Sequence, residues 1–128
     1  MNKYANSLLL SFDVGVVNLS WTLYDTHTDR IIDWNVVRLC DNKSSNKVLC
    51  HALLKELNAI LCLKPMENTK DIIVLIERQM KSKRMLRIEA QLDMFFSSKL
   101  MKTEIISPLI KLSGVDGEVK GKQNYYKR

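Results

Sequence analysis

From Ser7 to Val17 the chain reads Ser7-Leu8-Leu9-Leu10-Ser11-Phe12-Asp13-Val14-Gly15-Val16-Val17, apolar almost throughout and rich in valine. Such a run predicts a buried strand, since a strand with one solvated face alternates with polar residues. Leu19 to Tyr24 predicts a second strand, the turn formers Asp25-Thr26-His27-Thr28-Asp29 follow, and Ile31 to Leu39 predicts a third, with Ile32, Trp34 and Val36 set between more polar neighbours. Short turns between them suggest an antiparallel meander. The period then changes to helical: Leu49, Leu53, Leu57, Ile60 and Leu61 recur on one face behind Ser44 or Ser45 as the N-cap, and Pro65 with the polar stretch to Lys70 ends the helix. Ile72 to Ile76, five aliphatic residues in a row, predicts a central parallel strand. A second amphipathic helix is expected from about Ser82 to Leu100, with Met85, Ile88, Leu92, Phe95 and Phe96 on one face, and a fifth strand from Thr103 to Leu112, weakened at its far end by Pro108.

The order is therefore β-β-β-α-β-α-β, an α/β protein with a mixed sheet and helices on its faces. A length of 128 residues suits one domain. We place it at 1–112 and read 113–128, where Gly114, Gly117 and Gly121 alternate with polar and charged residues, as a flexible basic loop or tail. With 46% hydrophobic and 27% charged residues, the composition is globular rather than disordered. No apolar run approaches the roughly 18–20 residues that span a bilayer, so no membrane partner is expected. Leu8 to Phe12 is followed at once by Asp13 and lacks a small-residue cleavage site, so it does not read as a secretion signal. Cys40, Cys50 and Cys62 are odd in number and show no C-x-x-C spacing, which argues against a disulfide framework or zinc site and for an intracellular, reducing compartment.

Charge adds an asymmetry. The net charge of +6 falls entirely in residues 77–128, and Arg78, Lys81, Lys83, Arg84 and Arg87 form a stretch free of acids. A concentrated basic segment is an electrostatic footprint for a phosphate backbone, although a solvated helix start would look the same.

Two acids stand out against this background. Asp13 lies inside an apolar strand, where an ionised carboxylate costs several kcal/mol unless paired or bound to a cation. Gly15, two residues on, allows another group to approach the backbone closely. Glu77 ends Ile72-Ile73-Val74-Leu75-Ile76, at the carboxyl end of a strand, where open α/β sheets place their sites. If the first and fourth strands are parallel neighbours, the two converge, and nearby carboxylates repel unless a divalent cation lies between them. Hard oxygen ligands select magnesium, with manganese as the alternative. The basic segment directly after Glu77 would then hold a polyanion against the metal. That combination describes metal-dependent phosphodiester cleavage.

Leu9-Leu10-Ser11-Phe12-Asp13-Val14-Gly15-Val16-Val17-Asn18, Ile76-Glu77-Arg78-Gln79 and Ile106-Ser107-Pro108 resemble the poxvirus-type Holliday junction resolvases, which belong with the RuvC-like and mitochondrial resolvases in the ribonuclease H-like superfamily. The resemblance runs from about Leu8 to Arg128. Its first motif is common, whereas the glutamate-arginine-glutamine after an aliphatic strand is more telling. It implies a ribonuclease H-like fold, DNA recombination or replication as the setting, and a structure-specific endonuclease that acts as a homodimer on four-way DNA junctions. Asp13 and Glu77 would be two members of a catalytic, magnesium-binding acidic tetrad. Arg78, Lys81, Lys83, Arg84 and Arg87, with Lys127 and Arg128, are the candidate DNA contacts, and Gln79 joins them at a family-typical position beside the site. A viral origin (host cytoplasm) or a mitochondrial one follows from the same likeness.

The departure is at the carboxyl end. Members of that family continue through a basic segment into a last helix bearing two more acids, whereas Tyr125-Tyr126-Lys127-Arg128 reads as the start of that segment. The sequence therefore suggests a truncated or split reading frame with the last helix missing, and a second polypeptide supplying the acidic helix. Asp116 and Glu118 sit in a glycine-bearing loop and are not cast as replacements; Glu89, Asp93 and Glu104 read as solvated charges. His27 in a turn, His51 on a helix, Cys50 and Cys62 as small core residues, and Trp21, Tyr24 and Trp34 as packing residues take structural readings. Tyr125 and Tyr126 in a basic tail are the remaining base-stacking candidates. Two other functions stay open: a DNA-binding remnant of the same fold without chemistry, and, because strand-aspartate-x-glycine also begins actin-like ATPases, a fragment of such an ATPase.

Overall fold

A computed structural model describes residues 6–15, 17–41, 43–68, 71–78 and 82–106. Along the chain run β1 (Leu8–Val14), β2 (Asn18–Asp25), β3 (Arg30–Arg38), α1 (Asn46–Leu61), α2 (Lys64–Asn68), β4 (Ile72–Glu77), α3 (Lys83–Ser98) and β5 (Lys102–Ile106). In space the strands lie in the order β3-β2-β1-β4-β5. The meander is antiparallel as expected, and β4 pairs parallel with both β1 and β5. Parallel neighbours need crossover connections, supplied by α1 with α2 and by α3.

The sheet has two unlike faces because side chains alternate along each strand. On the first, Leu8, Leu10, Phe12 and Val14 of β1 join Leu19, Trp21 and Leu23 of β2 and Val74 and Ile76 of β4. Against them pack Leu49, Leu53, Leu57 and Ile60 of α1, Met66 of α2, and Ile88, Leu92 and Phe96 of α3. Full burial of each such side chain stabilises the fold by about 1.5–3 kcal/mol. The Phe12 and Phe96 rings, 5.6 Å apart between centroids, lock α3 onto β1. The second face carries Leu9, Ser11 and Asp13 of β1, which are half-buried. Among the described strands only β4 is buried on both faces, Ile73 and Leu75 included, as its unbroken aliphatic run predicts.

Local chemistry sets the element ends. Ser45 and Ser82 cap α1 and α3, accepting from the amides of Val48 and Met85. Gly15 makes the β1–β2 turn: its N–H donates to the Asn18 carbonyl at 2.9 Å, and a Cβ there would stand 2.8 Å from that oxygen. Pro65, expected to be part of a break, lies just inside the short helix α2, where its missing N–H removes no helical bond. β1 stops at Val14 rather than Val17, because the chain must turn for β2, and Leu39 lies past the end of β3, donating to the Val17 carbonyl at 2.8 Å.

Several side chains correct the sequence reading. Cys62 is exposed as the C-cap of α1 and Cys50 is half-buried, so neither is a core residue; the buried cysteine is Cys40, and all three are free. Asp93 is not a solvated charge: it accepts from Thr103 Oγ1 at 2.8 Å and Ser97 Oγ at 3.2 Å, tying α3 to β5. Glu104 is half-buried, with Oε2 shielded from solvent. The fifth strand is described to Ile106, and Ser107 to Leu112, like the expected tail at 113–128 with Tyr125 and Tyr126, lies outside the described residues. No helix among the described residues is long and apolar enough to cross a membrane.

Candidate active site

β1 and β4 pair in parallel with Leu8 opposite Ile72 and, rung by rung, Phe12 opposite Ile76. The paired ladder ends there, and Asp13 and Glu77 are the residues that follow its last rung on each strand. Registered residues of a parallel pair share a face, and adjacent strands are about 4.8 Å apart. Phe12 and Ile76 point into the helix-covered core, so by alternation Asp13 and Glu77 lie on the second face, each half-buried. The meeting of strands on which the sequence reading depends is thus present.

The surroundings follow from the same register. On one side of Asp13 is Ser20, whose Oγ lies 3.5 Å from the Asp13 carbonyl oxygen. On the far side of Glu77 is Ile106. The Arg78 amide donates to the Ile106 carbonyl at 2.8 Å, which extends the β4–β5 ladder and fixes the exposed Arg78 directly beyond Glu77. Among the described residues no group of three or more His, Cys, Asp and Glu is arranged to hold a metal ion. Asp13 and Glu77 are the candidate donors. Magnesium keeps several waters and binds through one or two carboxylates plus substrate phosphates, so such a pair suits it.

The basic segment divides. Lys83 and Arg87 lie exposed at the start of α3, along a groove shared with Asn46, Leu86 and Met94. Arg84 is instead turned inward, donating to the Ser44 carbonyl at 2.9 Å and to Cys40 Sγ at 3.1 Å, so its guanidinium braces α3 against the β3–α1 connection. Gln79, Lys81, Lys127 and Arg128 lie outside the described residues. Ser20 was missed by sequence reasoning; a lone serine in a strand gives no signal until pairing puts it beside an acid.

No protein-family model matches the chain, and no curated protein matches it in sequence. Solved structures do match. T. thermophilus RuvC, in complex with Holliday junction substrate, superposes with a TM-score of 0.66 at 10% identity, over 85% of this chain and 69% of that one. The Fowlpox virus resolvase, in complex with substrate Holliday junction DNA, gives 0.52 at 18% identity, over 79% of this chain and 60% of that one. This is a RuvC-like resolvase fold. The ribonuclease H-like mixed sheet expected from the sequence is therefore the architecture observed, and identities this low speak for the fold alone.

Proposed function

We propose that this protein is a magnesium-dependent, structure-specific DNA endonuclease that resolves four-way junctions. The observation that supports the reading best is the parallel β1–β4 register, whose last rung, Phe12 opposite Ile76, directly precedes Asp13 and Glu77 at the carboxyl ends of two central strands. In this reading the two carboxylates would hold a divalent ion, and magnesium there would supply Lewis-acid stabilisation of the phosphodiester and a more acidic water. The chain's own groups do the rest. Arg78 neutralises phosphate beside the pair, Lys83 and Arg87 engage phosphates farther along the DNA from the helix-covered side, Arg84 keeps the basic start of α3 in place, and the Ser20 row leaves the face beside Asp13 polar. A second copy would give a homodimer matched to paired strands at a junction, and a second polypeptide bearing an acidic helix would complete the carboxylate set.

The test is cleavage of a four-way DNA junction in magnesium by the wild type, Asp13→Asn and Glu77→Gln. Loss of even an outer partner of a metal ligand lowers activity or affinity about 10–100-fold, so each variant is expected to lose on the order of a hundred-fold or more while still binding the junction. Equal cutting by wild type and Asp13→Asn would overturn the assignment. The second reading, a DNA-binding module of the same fold without chemistry, is favoured by the finding that the described residues offer a pair rather than a larger set of donors. Junction binding with no cleavage in magnesium or manganese, alone or with an added acidic helix, would select it.

A further inference from the structure

β3 is the outermost strand of the meander, and its second-face residues lie open. Trp34 is 52% exposed and Val36 56% exposed, whereas the other indole, Trp21, is 5% exposed and donates from Nε1 to Glu56. The register pairs Trp34 with Thr22, Val36 with Ser20 and Arg38 with Asn18. Ser20 in turn faces Asp13. One row of the second face therefore runs Val36, Ser20, Asp13, with Glu77 just past the last β1–β4 rung and Trp34 and Arg38 one pleat to either side of Val36. At the usual strand spacing Val36 is about 10 Å from Asp13, the axial length of about three nucleotides in a helical strand.

An exposed apolar strand commonly takes a protein partner, by strand addition or by covering its side chains. Two features of β3 point elsewhere. The amides of Trp34 and Val36 donate to the side chains of Asp33 and Asn35 at 2.8 and 2.9 Å, so these edge donors are already engaged. The apolar ledge continues through Ile31 and Ile32 at one end, but at the other it ends in a cation, Arg38, and across the sheet it borders the hydroxyls of Thr22 and Ser20 and the amide of Asn18. An aromatic face and a positive charge at intervals along a polar groove are what a single nucleic-acid strand requires, because any base stacks and every nucleotide carries a phosphate.

We propose that Trp34 and Arg38 form a platform for an unpaired DNA strand, with a base stacked on the indole and a phosphate on the guanidinium, leading towards Asp13 and Glu77. The proposal rests on the DNA-binding part of the function above and names the form of substrate that reaches the site. It places a binding element on the β3 side of the carboxylate pair, whereas Arg78 lies on the β4 side.

The test is fluorescence titration of the full chain, in EDTA so that nothing is cut, with an oligothymidylate of about twenty nucleotides, longer than the ~4–16 that a single-strand site covers. The wild type is expected to show quenching of the exposed indole. Trp34→Ala binds about ten-fold more weakly while Trp34→Phe stays near wild type, since stacking needs a ring. Arg38→Ala reduces the slope of log K against log salt by about 0.7, the value for one single-strand phosphate contact, and Arg30→Ala at the opposite end of β3 does not. Circular dichroism checks that the variants are folded. Binding by Trp34→Ala within about two-fold of wild type, or equal slopes for Arg38→Ala and Arg30→Ala, overturns the platform. So does a sedimenting dimer that Trp34→Ala dissolves and the oligonucleotide leaves intact, which would assign the ledge to a second copy. Quenching with no cleavage in magnesium rejects the nuclease and keeps the platform; cleavage with wild-type binding by Trp34→Ala rejects the platform alone.

Discussion

Asp13 depends on Gly15 for its position. The turn that follows it closes through the Gly15 amide and the Asn18 carbonyl, and a methyl group at residue 15 meets that oxygen at 2.8 Å. Gly15→Ala must push β2 away from the site, and overpacking of this kind costs about 1–3 kcal/mol. Urea denaturation is expected to show that loss, with junction cleavage reduced as well; an unchanged midpoint would mean the turn yields freely. Asp41 permits a second prediction. A hydrogen bond from the Ser44 hydroxyl, then one from the Lys43 amide, hold its carboxyl below the ordinary 3.8, with the charge of Arg38 contributing last. A lowered carboxylate favours the folded loop above the ordinary range, and the preference disappears as pH falls through the lowered value. Carbon-detected NMR titration should find Asp41 titrating below a free aspartate, and Ser44→Ala should raise it. At this scale Asp13 and Glu77 stand out in the sequence as candidates, since charge inside or at the end of an apolar run is costly. It did not show that Arg84 faces inward, because its partners Cys40 and Ser44 are distant in sequence.

Among the elements, the strongest sequence signals were periodic. The aliphatic run of β4, the helical spacing of α1 and α3, and the serine cap of α1 appear where expected, because burial and capping are local in pattern. Pro65 misled, since proline both ends helices and begins them, and only the chain beyond decides which. Cys62 misled because the helix ends at Leu61 and turns that thiol outward. The exposure of β3 was also hidden: Ile32, Trp34 and Val36 look like core until the strand proves to be the edge of the sheet. The side chains of Asp33 and Asn35 that occupy its amides make an edge prediction. Replacing both with valine frees two donors and adds β propensity, so light scattering should report concentration-dependent association absent from the wild type. A monodisperse double variant would show that the amides are not what keeps the edge single.

For the molecule as a whole, the division of labour lies between the two sides of one sheet. Helices cover one side and build the core, while the acids, the Ser20 row and Trp34 occupy the other. Magnesium binding at the carboxylate pair would then stabilise only the folded protein, by about 1.4 kcal/mol at ten times its dissociation constant. Differential scanning fluorimetry should detect this as a rise of a few degrees in Tm that Asp13→Asn and Glu77→Gln both abolish. An equal rise in the variants would place the ion elsewhere.

The alternation along β1, with Phe12 and Val14 inward and Asp13 between them, has a consequence for folding as well as for chemistry. Sliding β1 by one residue against its neighbours would drive the carboxylate in among Phe96 and Leu92 and expel both apolar flankers into water. Mispaired hairpins are thereby penalised before the helices dock, so a single acid acts as an alignment key that admits one sheet arrangement out of the several its valines and leucines would accept.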